Sequence, residues 1–199
     1  MAAFKRSVEV LQLDYIDLYL IQQPFGDIFG SWRAMQELYN EGKIKAIGVC
    51  NFLPDRLTDL ITNSGFTPAA NQIKTHPYHQ QIETQEFLKE NGVQIEAWGP
   101  FAKGMNGIFN NEALAAIGAQ YNKTVAQIIL RWLTPIGIAA IPKSARKERM
   151  IENISIFDFH LSDDDLELIK TLDNKQSSFF NHRDPAIVKW MSEYCWLNG

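Results

Sequence analysis

The sequence has only two cysteines and four histidines in 199 residues. Cys50 and Cys195 are far apart, so they predict neither a disulfide framework nor a metal site, and they fit a reducing cytoplasm. No apolar run approaches the roughly 20 residues that a membrane helix needs. Residues 1–6 lack the apolar core of a signal peptide. We therefore expect a cytoplasmic protein that holds no metal and does not enter a membrane.

The chain also has little net charge. It carries 23 acidic and 19 basic side chains, for a net charge of -4. This mild acidity argues against general binding to nucleic acid or to anionic membranes. Because 46% of the residues are hydrophobic, the chain can bury a sizeable core. Residues 1–199 are predicted to form a single domain.

Apolar runs of strand length alternate with amphipathic stretches of helix length. The predicted strands cover residues 13–21, 44–49, 69–74, 93–98 and 138–141. The predicted helices cover residues 4–11, 28–39, 53–61, 84–90, 112–121 and 124–133, and another begins at Ser162 as its N-cap. The first helix has no N-cap of its own and is expected to be the end of a longer helix. From Asn174 onward the periodicity is lost, which predicts a tail packed over the body.

Strands that alternate with helices through short loops indicate an α/β fold with a parallel sheet and right-handed crossovers. A closed (β/α)8 barrel typically needs about 250 residues and eight strands, and the sequence shows about five strands. Sheet edges left open in this way invite pairing. The sequence therefore predicts possible self-association through an exposed edge.

Polar residues and a tryptophan collect at the carboxyl ends of the predicted strands, where parallel α/β folds build their sites. They are Gln22, Asn51, Gln72, Trp98 and Lys143. After the last strand, a lysine, a serine and two arginines crowd into a turn and the start of a helix. Such a cluster fits an anion site, because backbone N–H groups and cations point the same way. A solvated basic turn is the alternative.

Several motifs in register resemble the NADP-dependent aldo-keto reductases. They are the strand LDYIDLYLI at 13–21, GVCNF at 48–52, NQ at 71–72 with HP at 76–77, AWGP at 97–100, and IPKS at 141–144 followed by Arg149, Glu152 and Asn153. The match runs from the fourth barrel strand of the family to its C-terminus. The resemblance implies a TIM-type (β/α) barrel lacking its first strands. It also implies NADP(H) as cofactor and a small aldehyde or ketone as substrate.

The resemblance assigns four residues to the nicotinamide end of the cofactor. Asn51 and Gln72 would hydrogen-bond the carboxamide, for which amide side chains offer both donor and acceptor. Cys50 stands where the family usually has serine and is a weaker hydrogen-bonding group. Trp98 would stack on the nicotinamide ring. The alternative for Trp98 is a core tryptophan at a strand end.

Five further residues would hold the adenosine end. Lys143, Ser144 and Arg149 match the residues that bind the 2′-phosphate, and the planar guanidinium of Arg149 suits phosphate oxygens. Glu152 and Asn153 match those that contact the adenine. This set implies NADP rather than NAD.

The catalytic residues of the family are largely without a counterpart in these 199 residues. Gln22 stands at the position of the substrate-orienting histidine, and the family's Tyr, Asp and Lys precede the matched region. Gln22 can hydrogen-bond a carbonyl but cannot carry a proton. Strand alternation turns Tyr19 towards the helices. Tyr78 and His79 are possible substitutes or simply exposed loop residues, and His76 is expected to be structural.

Three functional readings stay open at this point. The first is an aldo-keto reductase that is catalytically impaired, since loss of a positioned general acid typically forfeits about 10²–10⁴-fold in rate. The second is a non-catalytic pseudoenzyme that binds NADP or a partner protein. The third is a truncated gene product of a longer reductase.

Overall fold

The computed structural model describes residues 1–175, 177 and 179–198, with side chains up to residue 193. Five strands lie within these residues: β1 (Ile16–Ile21), β2 (Ile44–Cys50), β3 (Ala70–Lys74), β4 (Gln94–Trp98) and β5 (Ile138–Ile141). The α-helices in the same residues are α1 (Ala2–Leu11), α2 (Ile28–Asn40), α3 (Pro54–Ser64), α4 (Ile82–Glu90), α5 (Glu112–Tyr121), α6 (Val125–Leu133), α7 (Lys147–Ile154), α8 (Asp163–Lys170) and α9 (Pro185–Asn198). A 3₁₀ segment covers Ala102–Asn110. None of the described helices is long and apolar enough to cross a membrane.

The strands follow chain order in one sheet. β1 pairs with β2, β2 with β3, and β4 with β5, each in parallel. The predicted α/β architecture with five parallel strands is therefore confirmed, and the sheet ends at β1 and at β5 instead of closing on itself. The inner strands β2 and β3 bury most of their side chains, as parallel strands covered by helices do, whereas β1 and β5 at the ends of the sheet each bury only one.

The chain divides into two compact units. Unit 1 comprises the described residues of Met1–Gln72, Thr84–Gln94 and His182–Gly199, and unit 2 comprises those of Ile73–Glu83 and Ile95–Asn181. In unit 1, α1 packs on β1 through Phe4, whose ring meets the edge of Tyr19 at 5.9 Å between centroids. Tyr19 thus faces a helix, as strand alternation predicts, and cannot act at the strand ends.

In unit 2, hydrogen bonds at the helix ends connect α6 to α7. Thr124 caps α6 in a reciprocal box with Gln127, as the sequence predicts for Thr124. The buried amide of Gln127 also donates to the carbonyls of Glu152 (3.3 Å) and Ser155 (2.8 Å). These bonds tie the end of α7 to the start of α6, and so fix the helix that carries three of the predicted adenosine-binding residues.

Two details differ from the sequence prediction. β1 begins at Ile16 and not at Leu13, because Gln12 ends α1 in a left-handed conformation with φ 55° and the following residues form a turn. The predicted irregular tail contains helix α9. Its mix of aromatic and polar residues hides the helical period. Gln176, Ser178 and Gly199 of the predicted tail lie outside the described residues.

Candidate functional site

Strands β1, β2 and β3 bring four predicted residues together in unit 1: Gln22, Cys50, Asn51 and Gln72. The parallel register pairs Cys50 with Gln72. Asn51 follows with φ 61°, its backbone N–H donates to the carbonyl of Gln72 at 3.0 Å, and its side chain donates to the carbonyl of Gln22 at 3.4 Å. Asn51 therefore links the ends of all three strands, which places its amide beside Gln22 and Gln72.

Two buried side chains, those of Cys50 and Asn71, lie in the same part of strands β2 and β3. Cys50 is buried and does not form a disulfide within the described residues. The side chain of Asn71 is fully buried and donates to the carbonyl of Phe52 at 2.7 Å. This bond holds the turn after β2, so that Asn51 keeps its left-handed conformation, which asparagine tolerates better than most residues.

A cavity of about 600 Å³ opens beside Asn51 in unit 1. Part of its wall comes from the C-terminal segment, which no sequence motif singles out. Arg183 forms an ion pair with Asp55 at 2.6 Å, and His182 packs against Phe25 with ring centroids 6.2 Å apart. The start of α3 and the C-terminal segment thus meet at this cavity.

The predicted adenosine-binding residues are brought together in unit 2. Lys143, Ser144, Arg149, Glu152 and Asn153 all line one cavity of about 320 Å³. Lys143 and Ser144 follow β5, and the other three lie on α7. The cationic turn thus borders a concave space, while the side chains of Lys143 and Arg149 stay exposed to solvent.

The acidic side chain in this cavity has a hydrogen-bond partner, whereas the two basic side chains form no ion pair with any described residue. The Thr124 hydroxyl donates to the Glu152 carboxylate at 2.5 Å. Among the residues that the structure describes, Lys143 and Arg149 have no acidic partner. The cavity therefore presents two cations that form no ion pair within the described part of the chain, and one carboxylate, and this excess of positive charge favours an anionic ligand. Thr124, Phe101 and Phe109 also line the cavity, and they were not predicted as site residues because none of the motifs of the resemblance includes them.

Trp98 lies at the end of β4 in unit 2 and is half-buried. Its ring packs against Phe179, with centroids 5.2 Å apart. The ammonium group of Lys74 lies 5.7 Å from the centroid of each of these two rings. Burial lowers the pKa of Lys74 to about 8. Neither Phe179 nor Lys74 was predicted, since the two residues are remote in sequence.

The loop after β3 contains the two suggested catalytic substitutes. Tyr78 and His79 are half-buried and not exposed, and His79 pairs with His76 through two backbone hydrogen bonds. Burial lowers the pKa of His79 and, with the nearby charges of His79 and Lys74, lowers the pKa of His76 to about 4. His76 is fully buried and packs edge-on against Tyr78 and Phe179. These contacts fit a structural role for His76.

The described part of the chain contains no cluster of side chains suited to binding a metal ion. Nowhere in it do three histidine, cysteine or acidic side chains converge in a way that could hold a metal ion. The candidate residues therefore form separate groups: amide side chains in unit 1, and an aromatic ring and a cationic cavity in unit 2.

Comparison with known proteins identifies many that are similar to this chain in sequence. A model of the aldo/keto reductase family matches residues 1–174. Glyoxal reductase of Bacillus subtilis (strain 168) is 45% identical over 177 residues, which cover 88% of this chain and 63% of that protein. The chain thus spans less than two thirds of the length of that relative.

Solved structures agree with the fold. MGS-M4, an aldo-keto reductase enzyme from a Medee basin deep-sea metagenome library, matches with a TM-score of 0.89 and 37% identity, over 92% of this chain and 68% of that one. The Bombyx mori aldo-keto reductase AKR2E4, solved in complex with NADP, matches with a TM-score of 0.85 and 32% identity, over 94% and 66%. The predicted incomplete TIM-type barrel is confirmed, and the chain belongs to the aldo/keto reductase family.

Proposed function

We propose that this chain binds NADP(H), with the adenosine 2′-phosphate in the cavity of unit 2, and that its own rate of carbonyl reduction is low. The carboxamide role of Asn51 and Gln72 and the stacking role of Trp98 are part of the same proposal and rest on the family resemblance. Glyoxal reductase and the NADP complex of the silkworm relative support this choice of cofactor and of a small aldehyde as substrate.

One observation carries the proposal: two cations line the cavity without acidic partners. Arg149 follows Lys143 and Ser144 at the start of α7, where backbone N–H groups also favour an anion. Glu152 is the acidic residue that lines the same cavity, and its carboxylate accepts a hydrogen bond from Thr124. A phosphate monoester would therefore meet an available guanidinium fork, while NAD has no phosphate at that position.

Replacing Arg149 with alanine is expected to weaken NADPH binding by about 10- to 100-fold. The reason is the loss of hydrogen bonds to a charged group, which contribute about 1.5–3 kcal/mol. NADH binding should change by less than about 2-fold, because NADH lacks the 2′-phosphate. Isothermal titration of both nucleotides against the purified chain measures these differences.

Arg146→Ala is the matched control for this experiment. It removes the same charge three residues away, and the Arg146 side chain does not line the cavity. We expect its NADPH affinity to stay within about 2-fold of the unmodified chain. Equal losses in the two variants would mean that general electrostatic attraction, and not a phosphate site, governs binding.

Turnover is expected to be very low in these 199 residues. Gln22 can position a carbonyl but cannot transfer a proton, and the tyrosine, aspartate and lysine of the family pattern have no counterpart here. With glyoxal or 4-nitrobenzaldehyde, NADPH oxidation should not exceed that of the Arg149→Ala variant. A clear rate above that background would contradict the proposed impairment and favour an active reductase.

A non-catalytic role in binding NADP or a partner protein is the second candidate function, and Gln22 favours it. The open edge of β5 supports self-association as the simplest form of partner binding. Near this edge Ile141 is 47% exposed, Ile154 66% and Phe157 63%, and such apolar exposure often marks an interface.

Two further predictions from the sequence stay predictions. They are that residues 1–199 form a single incomplete barrel domain and that the protein is cytoplasmic.

A further inference from the structure

A phenylalanine near the C-terminal end of unit 2 covers the tryptophan that the resemblance assigns to nicotinamide stacking. The centroids of Trp98 and Phe179 are 5.2 Å apart and their planes are inclined by 40°. This separation is within the range in which aromatic rings attract one another. A Cβ placed on Gly99 would lie 3.4 Å from Phe179. The Phe179 ring therefore lies directly against the end of β4.

Several contacts hold Phe179 in this position. The ammonium group of Lys103 lies 5.0 Å from the centroid of its ring, a distance at which cations and aromatic faces attract. Lys74 donates a hydrogen bond to the carbonyl of Phe180 at 3.2 Å. Ser177 accepts one from the backbone N–H of Phe179 at 3.0 Å. The ring is thus fixed by its own turn and by two lysines from other parts of unit 2.

We propose that Phe179 is an intramolecular competitor of the nicotinamide ring for Trp98. This inference rests on the proposed binding of NADP(H). In this proposal the nicotinamide lies on the face of Trp98 that Phe179 packs against, and a ring that stacks there has to displace Phe179. The adenosine end meets no such obstacle, because Phe179 does not line the cavity that contains Lys143 and Arg149.

The two ends of the cofactor would therefore bind under different conditions. The adenosine 2′-phosphate binds the resting chain, whereas the nicotinamide half binds only after Phe179 leaves Trp98. The contact between Phe179 and Trp98 is therefore autoinhibitory towards one half of the cofactor. Two probes separate the halves: 2′,5′-ADP carries only the adenosine end, and NADPH carries both.

Phe179→Ala is expected to tighten NADPH binding by about 2- to 10-fold, the change that corresponds to losing one aromatic pair. The affinity for 2′,5′-ADP should stay the same within error. Lys74→Met keeps the Phe179 ring but removes the hydrogen bond to Phe180, and it should shift NADPH binding in the same direction by a smaller factor. Titrations of both probes against the full chain measure these affinities.

Leu168→Ala is the control, because it truncates an exposed apolar side chain on α8 of unit 2 that does not line the cavity of Lys143 and Arg149. It should leave both affinities unchanged. An unchanged affinity for NADPH in Phe179→Ala and Lys74→Met, or an equal gain for 2′,5′-ADP, would overturn the inference. A 2′,5′-ADP affinity that does not depend on Arg149 would count instead against the proposed phosphate site.

Discussion

Replacing Gly48 with alanine is expected to lower the free energy of unfolding by about 3 kcal/mol, at the upper end of the range for overpacking. A Cβ at this position would lie 2.6 Å from the backbone oxygen of Ala70 and 2.6 Å from a methyl group of Leu20. The oxygen cannot retreat without disturbing the β2–β3 pairing that aligns Cys50 with Gln72. Urea denaturation followed by circular dichroism measures the loss.

Gly42→Ala provides the comparison in the same unit. Gly42 has φ 72°, and nothing lies within 4 Å of a Cβ placed there. Its substitution should cost only the strain of a left-handed alanine, about 1–2 kcal/mol. Equal costs at the two positions would show that the close approach of β2 and β3 is not what requires glycine at position 48.

Acidification from pH 6.5 to pH 4 is expected to remove up to about 3 kcal/mol of stability through His76. Burial, with the charges of His79 and Lys74, lowers the pKa of His76 from 6.5 to about 4. Between these two values the unfolded chain takes up a proton that the folded chain does not. The free energy of unfolding therefore falls as the pH falls through this window. Below about pH 4 both states are protonated and the loss is complete.

His76→Phe separates this effect from the titration of the carboxylates. Neither ring nitrogen of His76 has a hydrogen-bond partner among the described residues, so a phenylalanine of similar shape loses no bond. Urea unfolding of both proteins at pH 7 and pH 4.5 should show a loss about 2–3 kcal/mol smaller in the variant. If both lose the same amount, His76 is not a source of the acid sensitivity.

The sheet was predictable because its signals are local. The strand at 44–49 and the helices at 112–121 and 124–133 were placed to within one residue, since apolar spacing and the Thr124 cap act within a few residues. Helix α9 was missed because its aromatic and polar residues do not follow a helical period. Burial of such a segment depends on partners that are distant in the sequence.

The candidate site was predictable only where a motif carries it. Lys143, Ser144 and Arg149 could be named from a short stretch, and the structure places them around one cavity. The contact between Phe179 and Trp98 joins residues 81 positions apart, and no periodicity or spacing in the sequence reports it. Contacts of this kind depend on how the chain returns to the strand ends, which only the fold determines.

Thr124 connects the start of a helix to the charge balance of a ligand cavity. Its hydroxyl accepts from the backbone of α6 and also donates to Glu152. While this hydroxyl engages Glu152, the carboxylate is less available to pair with Arg149. In the proposed NADP(H) site, a helix cap in the wall of the cavity therefore also engages the carboxylate that shares the cavity with Lys143 and Arg149. A substitution at Thr124 would free the Glu152 carboxylate from this hydrogen bond while leaving Lys143, Ser144 and Arg149 in place.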